Sequence, residues 1–208
     1  MTSKCRLTYF TLKGLGEPIR YMLSYRNIKF EDVRLDMETW KATVKHTAPF
    51  GKAPVLEIDG KVLTQSKAIC RYMAREAGIA GKDTWEDLQI DMMIDTIEDV
   101  RTAAADYKFE RDEKKKAEKK DPLYNETIPF YFKKFETIVS ASKGHLANKK
   151  LTWADIYFVA ISEHMCFLID QDILEPYPNL KALKDTIHAI PGIKKYVEQR
   201  PADILVEF

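Results

Sequence analysis

The residues best suited to chemistry in this 208-residue chain lie in two short stretches, Pro49-Phe50-Gly51-Lys52-Ala53-Pro54 and Gln65-Ser66. A glycine and two prolines just before the apolar run Val55-Leu56-Glu57-Ile58 imply a sharply specified turn, and Pro54 at a strand's first position removes no needed ladder donor. With a cis Ala53–Pro54 bond, the N–H and C=O of Ala53 would be presented to an extended peptide, since edge pairing is a general mode of peptide recognition. A plain turn would use the same residues. Gln65-Ser66 stand at the start of a predicted helix, where unpaired N–H groups and a partial positive charge suit a small carboxylate. Ser66 is expected there as both cap and ligand. A backbone slot with an anion site a few residues on suits a small acidic peptide.

Other chemistries find little support. Gly14-Leu15-Gly16 follows a strand and precedes a helix, as a dinucleotide fingerprint would, but Ile19 occupies the third glycine position. No phosphate-binding G-x-x-x-x-G-K-[ST] or nucleophile-elbow G-x-S-x-G occurs, and His46, His145, His164 and His188 are scattered without metal-ligand spacing, so no metal is expected. Lys+Arg 33 against Asp+Glu 32 leaves a net charge of +1, so bulk attraction to nucleic acid or an anionic membrane is not expected. Cys5, Cys70 and Cys166 lie far apart, which reads as a reducing compartment, and no segment reads as a leader or a membrane span. The expectation is a soluble cytoplasmic protein.

The elements that must position these residues follow from pattern. Arg6-Leu7-Thr8-Tyr9-Phe10 reads as a strand, and a helix begins near Pro18 with Ile19, Met22 and Leu23 as its stripe. A short run Phe30–Leu35 and an undefined segment around Trp40–His46 come next. Asp59-Gly60 between apolar runs predicts a hairpin, followed by a helix from Ser66 to Glu76 that buries Ala68, Ile69, Tyr72 and Met73 and stops at Gly78. The order β-α-β-α-β-β-α fills residues 1–78, a Gly-containing linker spans 79–84, and 85–208 reads as an all-helical domain. In that domain Leu88, Met92, Met93, Ile97 and Val100 form one stripe, and Ile156, Val159, Ala160 and Ile161 begin another. The stretch from Lys108 to Asp121, with six lysines and one arginine against five acids, is a solvated face rather than a binding patch. Thr152-Trp153-Ala154-Asp155 reads as a capping box with a role in folding.

Leu7-Thr8-Tyr9-Phe10, Gly16-Glu17-Pro18-Ile19-Arg20, the Pro49–Leu56 segment and Gln65-Ser66-Lys67-Ala68-Ile69-Cys70-Arg71-Tyr72 closely resemble the sigma class of cytosolic glutathione transferases, the insect-type members above all. The likeness continues through Thr152–Asp155, Ile190-Pro191-Gly192-Ile193 and Arg200-Pro201, and so covers essentially the whole chain. It implies a thioredoxin-like N-terminal domain (α/β), an all-α C-terminal domain and a homodimer. It implies Tyr9 as the catalytic residue, and Tyr9, Trp40, Lys45, Lys52, Ala53, Pro54, Gln65 and Ser66 as glutathione contacts, with Asp99 reaching the glutathione of the other subunit. Phe10, Leu15, Arg101, Asp106, Tyr107, Tyr157 and Phe208 match electrophile-binding positions. Two departures separate the sequence from vertebrate glutathione-dependent prostaglandin D synthases: Leu15 replaces an arginine beside the thiol, and Asp106 replaces a pocket tryptophan.

The physical reading of Tyr9 agrees with the role the resemblance assigns. A thiol titrating near 8.5 is only a few per cent ionised at neutral pH, whereas a tyrosine near 10 keeps its proton and can donate. The implied activity is conjugation of the glutathione thiolate to hydrophobic electrophiles such as lipid-derived unsaturated aldehydes, with glutathione peroxidase or prostaglandin isomerase activity as variants. The alternative is a non-enzymatic ligand-binding or crystallin-like protein of the same fold.

Overall fold

The structure, a computed structural model, describes residues 4–204. The chain divides into two compact units, Met1–Gly78 with His188–Phe208, and Ile79–Ile187. Residues 188–204 therefore pack with the N-terminal unit, whereas their helical pattern had grouped them with the second domain.

In the first unit, β1 (Cys5–Phe10) leads through a 3-10 turn at Gly14–Gly16 into α1 (Glu17–Tyr25), with Pro18 in the first helical turn. Then come β2 (Glu31–Leu35) and α2 (Met37–Thr39), capped by the Asp36 side chain. The undefined segment becomes a wide turn over Trp40–Val44 that follows α2 directly and is closed by Lys45 N–H donating to Trp40 C=O at 2.9 Å. β3 (Val55–Ile58) and β4 (Lys61–Thr64) form the expected hairpin about Asp59-Gly60, and α3 spans Ser66–Glu76. The sheet order is β2-β1-β3-β4, with β1 parallel to β2 and the other pairs antiparallel, the thioredoxin-like mixed sheet. Gln65, not Ser66, is the N-cap of α3, and Ser66 is its buried first residue. On α3 the buried side chains are Ile69, Cys70, Met73 and Ala74, and Tyr72 faces outward.

In the second unit α4 (Thr84–Lys108) and α7 (Trp153–Ile169) form the core pair, flanked by α5 (Glu113–Pro122), α6 (Ile128–Ala141) and α8 (Pro178–His188), of which all but the last residue lies in this unit. The core face of α4 is Ile90, Ile94, Ile97, Val100 and Ala104. Two residues of the expected stripe, Leu88 and Met92, are exposed with Trp85, because α4 carries two apolar stripes and only one packs within the unit. The lysine-rich α5 buries none of its side chains, as its charge pattern predicts. Thr152 N–H donates to Asp155 Oδ2 at 2.9 Å, so the carboxylate half of the capping pair forms at the start of α7. No helix among the described residues is long and apolar enough to cross a membrane. The last helix, α9 (Pro191–Gln199), packs on α1 in the first unit, where Tyr196 and Arg200 bond the buried Glu17 carboxylate at 3.0 and 2.7 Å.

Candidate active site

Tyr9 ends the buried part of β1, and its ring is 7% exposed. The register brings the three stretches singled out by sequence into one row. Thr8 pairs with Val55 and Val55 with Thr64, so one residue further on Tyr9, Pro54 and Gln65 lie side by side at the same end of the sheet. Ala53–Pro54 is cis, and Ala53 packs against the cluster formed by Tyr9 and Leu12. Gln65 stands at φ +69°, a conformation that side chains rarely adopt and that concentrates at functional sites. Immediately after it, the α3 N-terminus supplies the partial positive charge expected for a carboxylate.

The phenol oxygen of Tyr9 accepts the backbone N–H of Leu15 at 2.9 Å. That contact depends on how closely the loop approaches. Gly14 lies at φ +44°, and a Cβ there would fall on the Tyr9 hydroxyl; a Cβ on Gly16 would stand 2.7 Å from Cγ of the same ring. Only glycine fits either position. Around the ring, Trp40 is buried with Ala48 and Val55 and meets Phe10 edge-on at 5.7 Å. Lys45, Lys52 and Gln65 are exposed, and Phe10 and Leu15 are half-buried beside Tyr9.

In the second unit, Asp99 is exposed on α4. Glu98 gathers two of the expected electrophile residues: Arg101 Nε donates to it at 2.9 Å, and so does the hydroxyl of the buried Tyr157. Tyr107 packs edge-on against Tyr124 at 5.6 Å, and burial, followed by Tyr107, pushes Tyr124 up to about 12. Asp106 is exposed, its carbonyl accepting Lys119 Nζ at 3.2 Å. Phe208 lies outside the described residues.

Comparison with known proteins bears directly on this arrangement. Residues 5–75 match the glutathione S-transferase N-terminal domain family, and residues 98–200 the glutathione S-transferase C-terminal domain family. Among curated relatives, glutathione S-transferase S1 of Drosophila melanogaster is 45% identical over 94% of this chain and 78% of the relative. The hematopoietic prostaglandin D synthase of Gallus gallus is 39% identical over 94% of this chain and 96% of the relative. The solved prostaglandin synthase D of Nilaparvata lugens superposes with a TM-score of 0.90 at 48% identity, covering 96% of this chain and 99% of that one. The chain belongs to the glutathione S-transferase family. It is accordingly a transferase enzyme whose co-substrate is glutathione, a small acidic peptide of the kind the turn and the α3 N-terminus suit.

In this glutathione S-transferase, three residues that the sequence reading left without a site role shape the surroundings of Tyr9. Gly14 and Gly16 fail as a dinucleotide motif; their place after a strand allows a close backbone approach, and the group approached is the tyrosine. Arg20 lies within the apolar stripe of α1. It is fully buried, with Nε on both Asp32 oxygens at 3.0 and 3.1 Å and Nη1 on Glu17 at 3.2 Å and Leu12 C=O at 3.1 Å. Burial opposes its charge, but the carboxylates of Glu17 and Asp32 outweigh that effect and hold the guanidinium above its ordinary range. Its Cζ stands 5.7 Å from the centre of the Tyr9 ring, so a fixed cation backs the phenol. A charged residue in the middle of an apolar helical stripe was the signal available for it.

Proposed function

We propose that the Tyr9 hydroxyl donates a hydrogen bond to the sulfur of bound glutathione and so holds it as thiolate, for attack on hydrophobic electrophiles such as lipid-derived unsaturated aldehydes. The observation that carries this reading is the Leu15 N–H bond into the Tyr9 oxygen. A hydrogen bond accepted by a hydroxyl polarises it and makes it the stronger donor. In the conjugation the thiol proton leaves to solvent, and the sulfur lone pair forms the C–S bond at the β-carbon. The π pair of the C=C bond moves toward the carbonyl, and the enolate takes a proton at its α-carbon.

Trp40, Lys45, Lys52, the backbone of Ala53 and Pro54, Gln65 and Ser66 are proposed as glutathione contacts; Phe10, Leu15, Arg101, Asp106, Tyr107, Tyr157 and Phe208 as electrophile contacts. The outward stripe of Trp85, Leu88 and Met92 supports a homodimer in which Asp99 serves the neighbouring site. Similarity to insect relatives supports a sigma-class protein, and three cysteines without a disulfide support a cytoplasmic place. Prostaglandin isomerase activity is a second reading favoured by the relatives that bear that name. Here Leu15 contributes a backbone N–H to the Tyr9 oxygen and no side-chain cation beside the sulfur.

The test is turnover on a panel of unsaturated aldehydes, aryl halides, hydroperoxides and a prostaglandin endoperoxide, with and without glutathione. Glutathione-dependent turnover of the aldehydes is expected. Glutathione binding without turnover on any member would refute the proposal.

A further inference from the structure

We propose that Asp203, near the far end of the chain, is a positioning residue for the Tyr9 hydroxyl. It acts by clasping Lys13 and so fixing the loop that carries the Leu15 N–H; the proposal rests on the reading of Tyr9 given above. The contacts form two layers. Asp203 Oδ1 accepts the backbone N–H of Lys13 at 2.7 Å, and Oδ2 accepts its Nζ at 2.6 Å. The next residue pairs with the loop through its backbone, Ile204 N–H donating to Thr11 C=O at 3.0 Å and Thr11 Oγ1 donating to Ile204 C=O at 3.4 Å. Both carboxylate oxygens are used, one on the backbone and one on the side chain of a single residue.

Lys13 is where such a clasp has most effect. It is the N-cap of the Gly14–Gly16 turn, and Glu17 N–H at the start of α1 donates to its carbonyl at 2.9 Å. The loop between Tyr9 and α1 therefore contains two glycines that must come close to the ring, and glycines lose more backbone freedom than any other residue on being fixed. Arg20 gathers the loop's acceptors, Phe10, Leu12 and Lys13 C=O, at 3.4, 3.1 and 3.4 Å. Arg20 has no acceptor with which to hold the loop's N–H groups. Asp203 supplies it.

The clasp is short and sheltered. Charge-assisted hydrogen bonds of this length are roughly twice as strong as neutral ones, and the Lys13 and Asp203 side chains are 20% and 7% exposed, which limits screening by solvent. It is also well anchored. Pro201 restricts the segment after α9, and the end of α9 is fastened separately through Arg200 and Tyr196 on Glu17. Asp203 itself lies past α9, outside every strand and helix and away from the sheet's register. What it fixes is the distance between Leu15 N and the Tyr9 oxygen.

The experiment uses Asp203→Ala, Asp203→Asn, Lys13→Gln and Lys13→Arg in the full chain, with two readouts. Amide exchange of Leu15 in the ligand-free protein tests the clasp, independently of any role for glutathione. The pH titration of the bound thiol, beside kcat/KM, tests its consequence. Asp203→Ala should speed Leu15 exchange by about tenfold and raise the thiol's apparent pKa by about half a unit, which lowers kcat/KM about threefold at a pH below the wild-type thiol's own pKa and is recovered at pH about 9. Asp203→Asn, which keeps an acceptor for the Lys13 N–H, and Lys13→Gln, which loses only the ion pair, should fall between it and the wild type. Lys13→Arg should restore wild-type behaviour in both readouts. Unchanged Leu15 exchange in a folded Asp203→Ala protein would overturn the clasp. Faster exchange with an unmoved thiol titration would leave a merely structural contact and overturn the positioning role. Failure of the Tyr9 reading itself registers separately, as a Tyr9→Phe protein whose bound thiol titrates normally.

Discussion

Replacing Tyr9 by Phe removes one oxygen from a ring that is otherwise packed in place, and the structure sets what that oxygen is worth. It accepts the Leu15 N–H at 2.9 Å and is proposed to donate to the glutathione sulfur. A hydrogen bond to a charged group contributes about 1.5–3 kcal/mol, which at 1.36 kcal/mol per pKa unit raises the bound thiol by about one to two units. At a pH below the wild-type thiol's own pKa the thiolate population, and with it the conjugation rate, should fall about tenfold to a hundredfold. A second effect comes from the loop, where the half-buried Leu15 N–H loses its acceptor at a cost of about 1 kcal/mol, lowering Tm by about 2–4 °C for a chain of this size. Glutathione affinity should stay within a few-fold. The assay follows thiolate absorbance of the glutathione complex against pH: the mutant should saturate with glutathione yet ionise later, and its rate should recover in part at high pH, where the thiol ionises unaided. A mutant whose bound thiol titrates like the wild type would refute the reasoning. The search would then move to Leu15 N–H or the Thr11 hydroxyl as the donor to sulfur.

Gly14→Ala puts a methyl group on the Tyr9 hydroxyl at φ +44°; it should cost about 1–2 kcal/mol of stability for the left-handed backbone and about tenfold to a hundredfold in rate through misplacement. Normal kinetics would mean the loop does not set the phenol. Gln65→Gly relieves strain worth about 1–3 kcal/mol against an entropic penalty of about 0.5–1 kcal/mol, so Tm should hold or rise while the glutathione KM increases, and a lower Tm would contradict the strain argument. Asp99→Ala should sediment as a dimer with a raised glutathione KM; an unchanged KM removes Asp99 from the site. His145 Nδ1 stands 3.3 Å from the fully buried Asp155 oxygen, and that carboxylate pushes the ring's pKa up despite partial burial. A raised folded-state pKa gives stability that is present below the unfolded value of about 6.5 and lost as pH rises through the folded one. His145→Gln should therefore lower Tm more at pH about 5.5 than at about 8.5, and an equal loss at both would exclude the charge contact.

Much of the fold was legible because its signals are local. Asp59-Gly60 between apolar runs specified a hairpin, Pro18 the first turn of α1, and the two prolines about Ala53 a sharp turn, since backbone chemistry over a few residues decides each of them. The lysine-rich face of α5 was read correctly for the same reason: it has too little apolar surface to bury. Two apolar stripes on α4 were not separable in this way. Leu88 and Met92 have the spacing of a core face as well as Ile90 and Ile94 do, and only the placement of α7 decides which face is covered. Likewise Gln65 could not be identified as the cap in place of Ser66 by residue type, because Ser is the better N-cap by preference and the positive φ of Gln65 is imposed by its place after β4.

The sequence by itself singled out the candidate residues of the site: the Ala53–Pro54 turn and Gln65-Ser66 by type and spacing, and Tyr9 through the resemblance it carries. Only the tertiary structure decided what tunes them. Sheet register, a property of three strands together, lines up Tyr9, Pro54 and Gln65. Closure of the Gly14–Gly16 loop aims the Leu15 N–H at the phenol, and Arg20 holds that loop from a helix. Asp203 lies 190 residues from Lys13, and no local pattern encodes a contact of that span. Hydrogen bonds and ion pairs form between whatever groups folding brings within about 3 Å, so the partners of a catalytic group are fixed by the packing of distant elements rather than by its neighbours in the chain.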